Sequence, residues 1–173
     1  MGLDFRNLDD RTRALMVEEI DLDGGNLYLS RYLNDDGQAQ WPGLLRDAAQ
    51  NGTDDTLAAA VRGGRLLRRQ YQKRKPKGGF TMADVPVTAH QTLAEGQFNM
   101  YYMRALARRA IEEHRAVIVY RAKRVQEARP ESQRLIGQAL DPNVVLQGLR
   151  VDHGVEPALG IPLPNSGLTI ELQ

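Results

Sequence analysis

Eight basic side chains fall between Arg62 and Lys77 with no acid among them: Arg62, Arg65, Arg68, Arg69, Lys73, Arg74, Lys75 and Lys77. Held together, they repel one another unless an anion lies against them. Two chemistries suit such a run. Lys73-Arg74-Lys75-Pro76-Lys77 can follow a phosphate backbone, where each neutralised phosphate releases counterions. Alternatively the run docks on an acidic protein surface, with the interleaved Leu66, Leu67 and Tyr71 as an apolar edge for partner packing. The chain carries acids of its own for that purpose. The 61 residues before Arg62 hold twelve acids against five bases, and beyond Lys77 ten of each sign balance. A net charge of +1 therefore hides a strongly bipolar chain.

Other reactive residue types are present without a pattern that chemistry needs. Glu18, Glu19, Asp21, Asp23 and Asn26 crowd together, but a calcium loop counted from Asp21 would need Gly at Asn26 and Glu at Tyr32. The cluster reads instead as a solvated helix end. His90, His114 and His153 form neither HxH nor HExxH, so zinc has no support, and His114 suits a helix C-terminus. His90 with Glu95, or Asp152 beside His153, is a poor basis for a catalytic pair. There is no GxxxxGK[ST] phosphate loop and no GxSxG elbow, and Asn165-Ser166-Gly167 reads as a turn before a strand. Tyr101 and Tyr102 beside Arg104, Arg108 and Arg109 read as packing and ion pairing with acids such as Glu112 and Glu113. No catalytic residue, metal ligand or cofactor is assigned, and the chain is not expected to be an enzyme.

The elements that must position these residues form an α+β, mainly helical single domain spanning 1–173, with a basic arm at 62–79. At 173 residues, 42% hydrophobic, it is long enough to bury one core. A helix is expected from Leu8 to Ile20, another from Pro42 to Ala49, and a third from Thr56 to Arg62 capped by Thr53-Asp54-Asp55. The basic run is either a helix face or a strand turning at Lys75–Gly79. The longest periodic stretch, near 89–114, carries apolar stripes on two sides, the mark of a central buried helix, although Gly96 admits a break. Strands are expected near 27–33, closed by a turn at Asn34-Asp35-Asp36-Gly37, and near 116–121 and 167–172, with Ala116–Tyr120 the clearest; helices are expected from Pro130 to near Leu140 and from Pro142. No cysteine occurs, no signal sequence is expected at the start, and no stretch has the apolar length of a membrane span. A soluble, cytoplasmic (or virion) protein is expected, without membrane contact.

The segments Glu95-Gly96-Gln97-Phe98-Asn99-Met100-Tyr101-Tyr102-Met103-Arg104, Tyr120-Arg121-Ala122-Lys123, Arg129-Pro130-Glu131-Ser132 and Asn165-Ser166-Gly167-Leu168 resemble uncharacterised proteins of bacterial genomes and tailed-phage gene clusters. That resemblance covers about the last half of the chain and implies a virion or prophage-associated role, with no catalytic residue attached. The expected function is a non-catalytic interaction or structural protein assembling in several copies, plausibly capsid-associated or at the head–tail joint. Its partners are then further copies of itself, or another virion or cellular protein. The alternative is a small nucleic-acid-binding or regulatory protein using 62–77. A metal- or histidine-dependent hydrolase is the third reading.

Overall fold

The computed structural model describes residues 2–123, 130–151 and 162–173; Asp152 and His153 lie outside them. Three helices open the chain: α1 (Asp10–Asp23), α2 (Asp35–Asn51) and α3 (Asp54–Gly63). A hairpin of β1 (Gln70–Arg74) and β2 (Phe80–Asp84) precedes the long α4 (Ala89–Glu113). Then follow β3 (Val117–Arg121), α5 (Pro130–Leu135), β4 (Ala139–Leu140), α6 (Pro142–Val151) and β5 (Leu168–Leu172).

At the starts of α1, α2 and α3 a side chain satisfies one of the first free amides. Asp9 accepts from Thr12 N at 2.9 Å to begin α1. Thr53 and Thr56 bond reciprocally at the start of α3, a capping box. Asn34, expected in a turn, instead caps α2 by accepting from Gly37 N at 2.7 Å. The helix expected from Pro42 therefore starts at Asp35 and carries Pro42 inside it, with the ring exposed. Proline interrupts one backbone bond there; the buried Trp41, Leu45, Ala48 and Ala49 hold the helix on its core side.

The strand expected over 27–33 does not form; only Leu33 makes one isolated bridge, to Leu67. Tyr28 and Leu29 are exposed in succession, so no single face is buried. Ser30 then turns the chain, its carbonyl accepting from Leu33 N at 3.0 Å and its Oγ from Tyr32 N at 3.2 Å. The other two expected strands are present. β3 lies between β4 and β5 in an antiparallel sheet, with Val117 opposite Leu172 and Arg121 opposite Leu168. The helix expected to run on to Leu140 stops at Leu135, because Gly137 turns the chain at φ 81° into the edge strand β4.

Helix α4 is continuous through Gly96 and buried over nearly all its length. It packs on α1, α3, α6 and β5, so the two apolar stripes find helices on one side and sheet on the other. Trp41, Leu57, Phe98, Met100, Leu106, Val145 and Ile170 belong to one hydrophobic cluster that joins the helices to the sheet. Full burial of each large apolar side chain contributes roughly 1.5–3 kcal/mol. The N-terminal segment closes the sheet side: Asp4 N donates to Ala122 O at 3.0 Å, and Phe5 stacks on Phe98 and Tyr102. No helix among the described residues is long and apolar enough to cross a membrane.

Candidate interaction site, a projecting basic hairpin

The basic run divides into a docked half and a projecting half. Arg62 lies in the last turn of α3, and Arg65 follows in the left-handed region at φ 54°. Leu66 is buried in the protein's own core, Leu67 packs against that core, and Leu66 O accepts from Asn34 N at 2.9 Å. Arg68 stays exposed but is tied to the body, its Nε donating to Leu33 O at 2.8 Å and its guanidinium lying 3.3 Å from the exposed Asp35. Leu66 and Leu67, expected as an edge for partner packing, thus pack on the chain's own core, and Arg68 is bonded to the body.

From Gln70 onward the chain leaves the body. Strands β1 and β2 pair antiparallel, Gln70 opposite Asp84 through Arg74 opposite Phe80. The turn Lys75–Gly79 closes with Lys75 N to Gly79 O at 2.9 Å and Gly78 N to Lys75 O at 3.1 Å. Gly78 and Gly79 sit at φ 90° and 77°, where a Cβ is disfavoured, so the turn needs glycine at both. The body holds the hairpin at its foot. The Tyr71 ring meets that of Tyr32 edge-on at 4.9 Å, and the Arg31 guanidinium lies 4.6 Å above Tyr71. Tyr71 is accordingly engaged within the molecule as well.

Opposed residues in an antiparallel pair share a face. Tyr71 and Ala83, with Lys73 and Thr81, form the face that begins at Tyr32. Gln72 and Met82, with Arg74 and Phe80, form the other, on which Phe80 is 60% and Met82 59% exposed. Val87, just beyond β2, is 90% exposed. Asp84 is the only acid in the hairpin, and Gln70 Nε2 donates to it at 2.9 Å. Arg69, Lys73, Arg74, Lys75 and Lys77 are exposed and form no ion pair with another described residue.

Elsewhere the opposite charges have already met. Arg104 on α4 is fully buried and donates to Glu19 Oε2 at 2.8 Å and to Asp23 at 2.7 and 3.0 Å. Arg150 from α6 grips Glu19 from the far side at 2.6 and 3.0 Å, and Tyr101 OH donates to Asp23 at 2.7 Å. Arg108 reaches Glu18 at 2.8 Å, Arg109 reaches Asp9 at 2.7 Å, and Arg46 reaches Asp21 at 3.0 Å. Burial alone would push the Glu19 carboxyl up, but hydrogen bonds from Arg150 and Arg104 outweigh it and hold the group below its ordinary range. The acids expected as a solvated helix end are therefore, at Glu19 and Asp23, the anions of a buried pair. No spacing rule in the sequence links residue 19 to residues 104 and 150; the fold creates that network.

Among the described residues, no three His, Asp or Glu side chains gather in a way that could hold a metal. His90 and Glu95 are not bonded to each other; Glu95 pairs with Lys123 and accepts from Gln91 at 2.8 Å. Asp54 and Asp55 accept from the N-terminal backbone, Leu3 N at 2.8 Å and Gly2 N at 2.7 Å. A cavity of about 380 Å³ between Tyr28, Tyr32, Thr88, Thr92, Gln97 and Asn165 has a neutral lining without carboxylate or imidazole among its described residues. Compared with protein-family models, curated proteins and solved structures, the chain matches none.

Proposed function

We propose that this chain is a non-catalytic interaction protein whose working part is the hairpin Gln70–Asp84. One observation carries the reading: among the described residues the hairpin's cations form no ion pair, while most arginines of the body are matched to carboxylates. A two-stranded ribbon standing alone is marginally stable in water, so one that adds nothing to the core has its use in what it touches. Exposed Phe80 and Met82 beside unpaired Lys and Arg suit contact with a partner. The resemblance to tailed-phage and prophage proteins supports placing that contact in a particle with many copies of the chain, and self-association is the corresponding solution property.

Replacing residues 72–82 by Asn-Gly tests this reading. The core contains none of the removed side chains, so the melting temperature should stay within a few degrees of the parent. Association, read as mass across a concentration series with and without added duplex DNA, should disappear. Unchanged association, or collapse of the fold, would contradict the proposal.

A further inference from the structure

We infer that the hairpin's partner is duplex DNA, gripped along its phosphates with the Gln72–Arg74–Phe80–Met82 face turned into the major groove. This rests on the reading of the hairpin as an interaction element and names its partner.

Charge decides between partners. A second copy of the chain would have to offer an acidic surface, yet Asp9, Glu18, Glu19, Asp21, Asp23 and Asp35 are already paired within the molecule. The acids left without a base, such as Asp10, Asp36 and Asp47, stand apart along α1 and α2. A duplex presents one negative charge per about 1.7 Å of axis, which suits five cations spread over the foot, the first strand and the turn. Lys75 and Lys77 flank Pro76 at the tip, Lys73 and Arg74 lie just behind it, and Arg69 sits at the foot.

Shape agrees with charge. Five residues per strand give a reach of about 17 Å. Two paired strands are narrow enough for the B-form major groove, about 12 Å wide, whereas the deep, narrow A-form groove of RNA excludes side chains. The register sets Gln72 opposite Met82 and Arg74 opposite Phe80 on the face away from Tyr32. That face combines an amide and a guanidinium, which can pair with adenine and guanine edges, with apolar groups that can meet thymine methyls. Lys73, on the other face, and the tip lysines remain for the backbone.

The test is a salt titration of binding to a mixed-sequence duplex of about 25 base pairs, using the whole chain. If Arg69, Lys73, Lys75 and Lys77 meet phosphates while Arg74 meets a base edge, log K should fall against log salt with a slope of about −3.6. The variant Lys73→Ala/Lys75→Ala/Lys77→Ala alters only exposed side chains, should keep its melting temperature, and should flatten the slope to about −1. Phe80→Ala/Met82→Ala should keep the slope and lose sequence preference. An RNA duplex of the same sequence should bind at least tenfold more weakly. Absence of DNA binding at 50 mM salt, a slope the triple variant leaves unchanged, or equal affinity for RNA overturns the inference. Loss of self-association on shortening the hairpin, without any DNA binding, would make the partner a second copy and leave the interaction reading standing. If neither property depends on the hairpin, both readings fall.

Discussion

Removing the Arg104 guanidinium should be among the most damaging single changes in the body. Its side chain and that of Glu19 are fully buried, and it holds two carboxylates at once. Arg104→Ala leaves Glu19 with Arg150 and the partly buried Arg108, and leaves Asp23 with the Tyr101 hydroxyl. Breaking a buried pair by deleting one partner costs about 3–5 kcal/mol, because the remaining charge stays desolvated. The surviving partners argue for the lower end, about 3 kcal/mol. In a chain of this size that lowers the melting temperature by about 6–12 °C. Arg108→Ala is the control, since its main partner Glu18 is 60% exposed and such pairs contribute at most about 1 kcal/mol. Urea denaturation of both variants, fitted with a common slope, measures the difference. A loss below about 1 kcal/mol for Arg104→Ala would show that water reaches this network, and the account of the buried charges would fail.

Two further outcomes follow from single residues. Burial pushes the Asp54 carboxyl up to about 6, with Asp55 and Glu95 adding to the rise against the Leu3 amide. The folded protein therefore binds more protons there than the unfolded chain. Its contribution is fully present below the ordinary carboxylate pKa near 4 and is lost as pH rises through 6, by about 3 kcal/mol at most. Glu19, Asp9 and Asp55, held low, act oppositely and lose stability only as pH falls below about 4. Asp54→Asn should flatten the stability profile between pH 4 and 6 and spare the acid limb; an unaltered slope in that window refutes the assignment. At Gly37 an added Cβ would lie 2.3 Å from the Leu66 carbonyl oxygen, so Gly37→Ala should cost about 1–3 kcal/mol by chemical denaturation. A neutral result would mean that α2 and the Leu66 strap are not in close contact.

The parts of this fold legible in the sequence are those set by local pattern. The 25-residue α4 announces itself by apolar stripes on two sides, and the Val117–Arg121 and Leu168–Leu172 strands by β-branched runs and alternation. Misreadings cluster where a distant contact decides. Residues 27–33 alternate well enough for a strand, but the only neighbouring backbone bridge is at Leu67. Asn34-Asp35-Asp36-Gly37 has turn composition, yet the same residue types cap a helix once Asn34 reaches Gly37 N. The basic run stood out by composition alone. Its division into a body-bound Leu66–Arg68 and a projecting hairpin follows from the Leu33 carbonyl and the Tyr32 ring, which lie more than thirty residues upstream. Charge bipolarity showed that the chain carries both signs in blocks, but not that several of its acids find Arg104, Arg108, Arg109 and Arg150 within the chain.

Amide hydrogen exchange followed along the whole chain tests the central claim most directly. In dilute protein alone, the amides of Gln70–Asp84 should exchange with little protection, because the ribbon is supported only at its foot, while those of α4 should open only near global unfolding. On adding duplex DNA, or on concentrating the protein, protection should rise across the hairpin and stay constant in α4. Protection that appears around the Tyr28–Gln97 cavity instead, with the hairpin unchanged, would contradict the account and move the working site to that cavity.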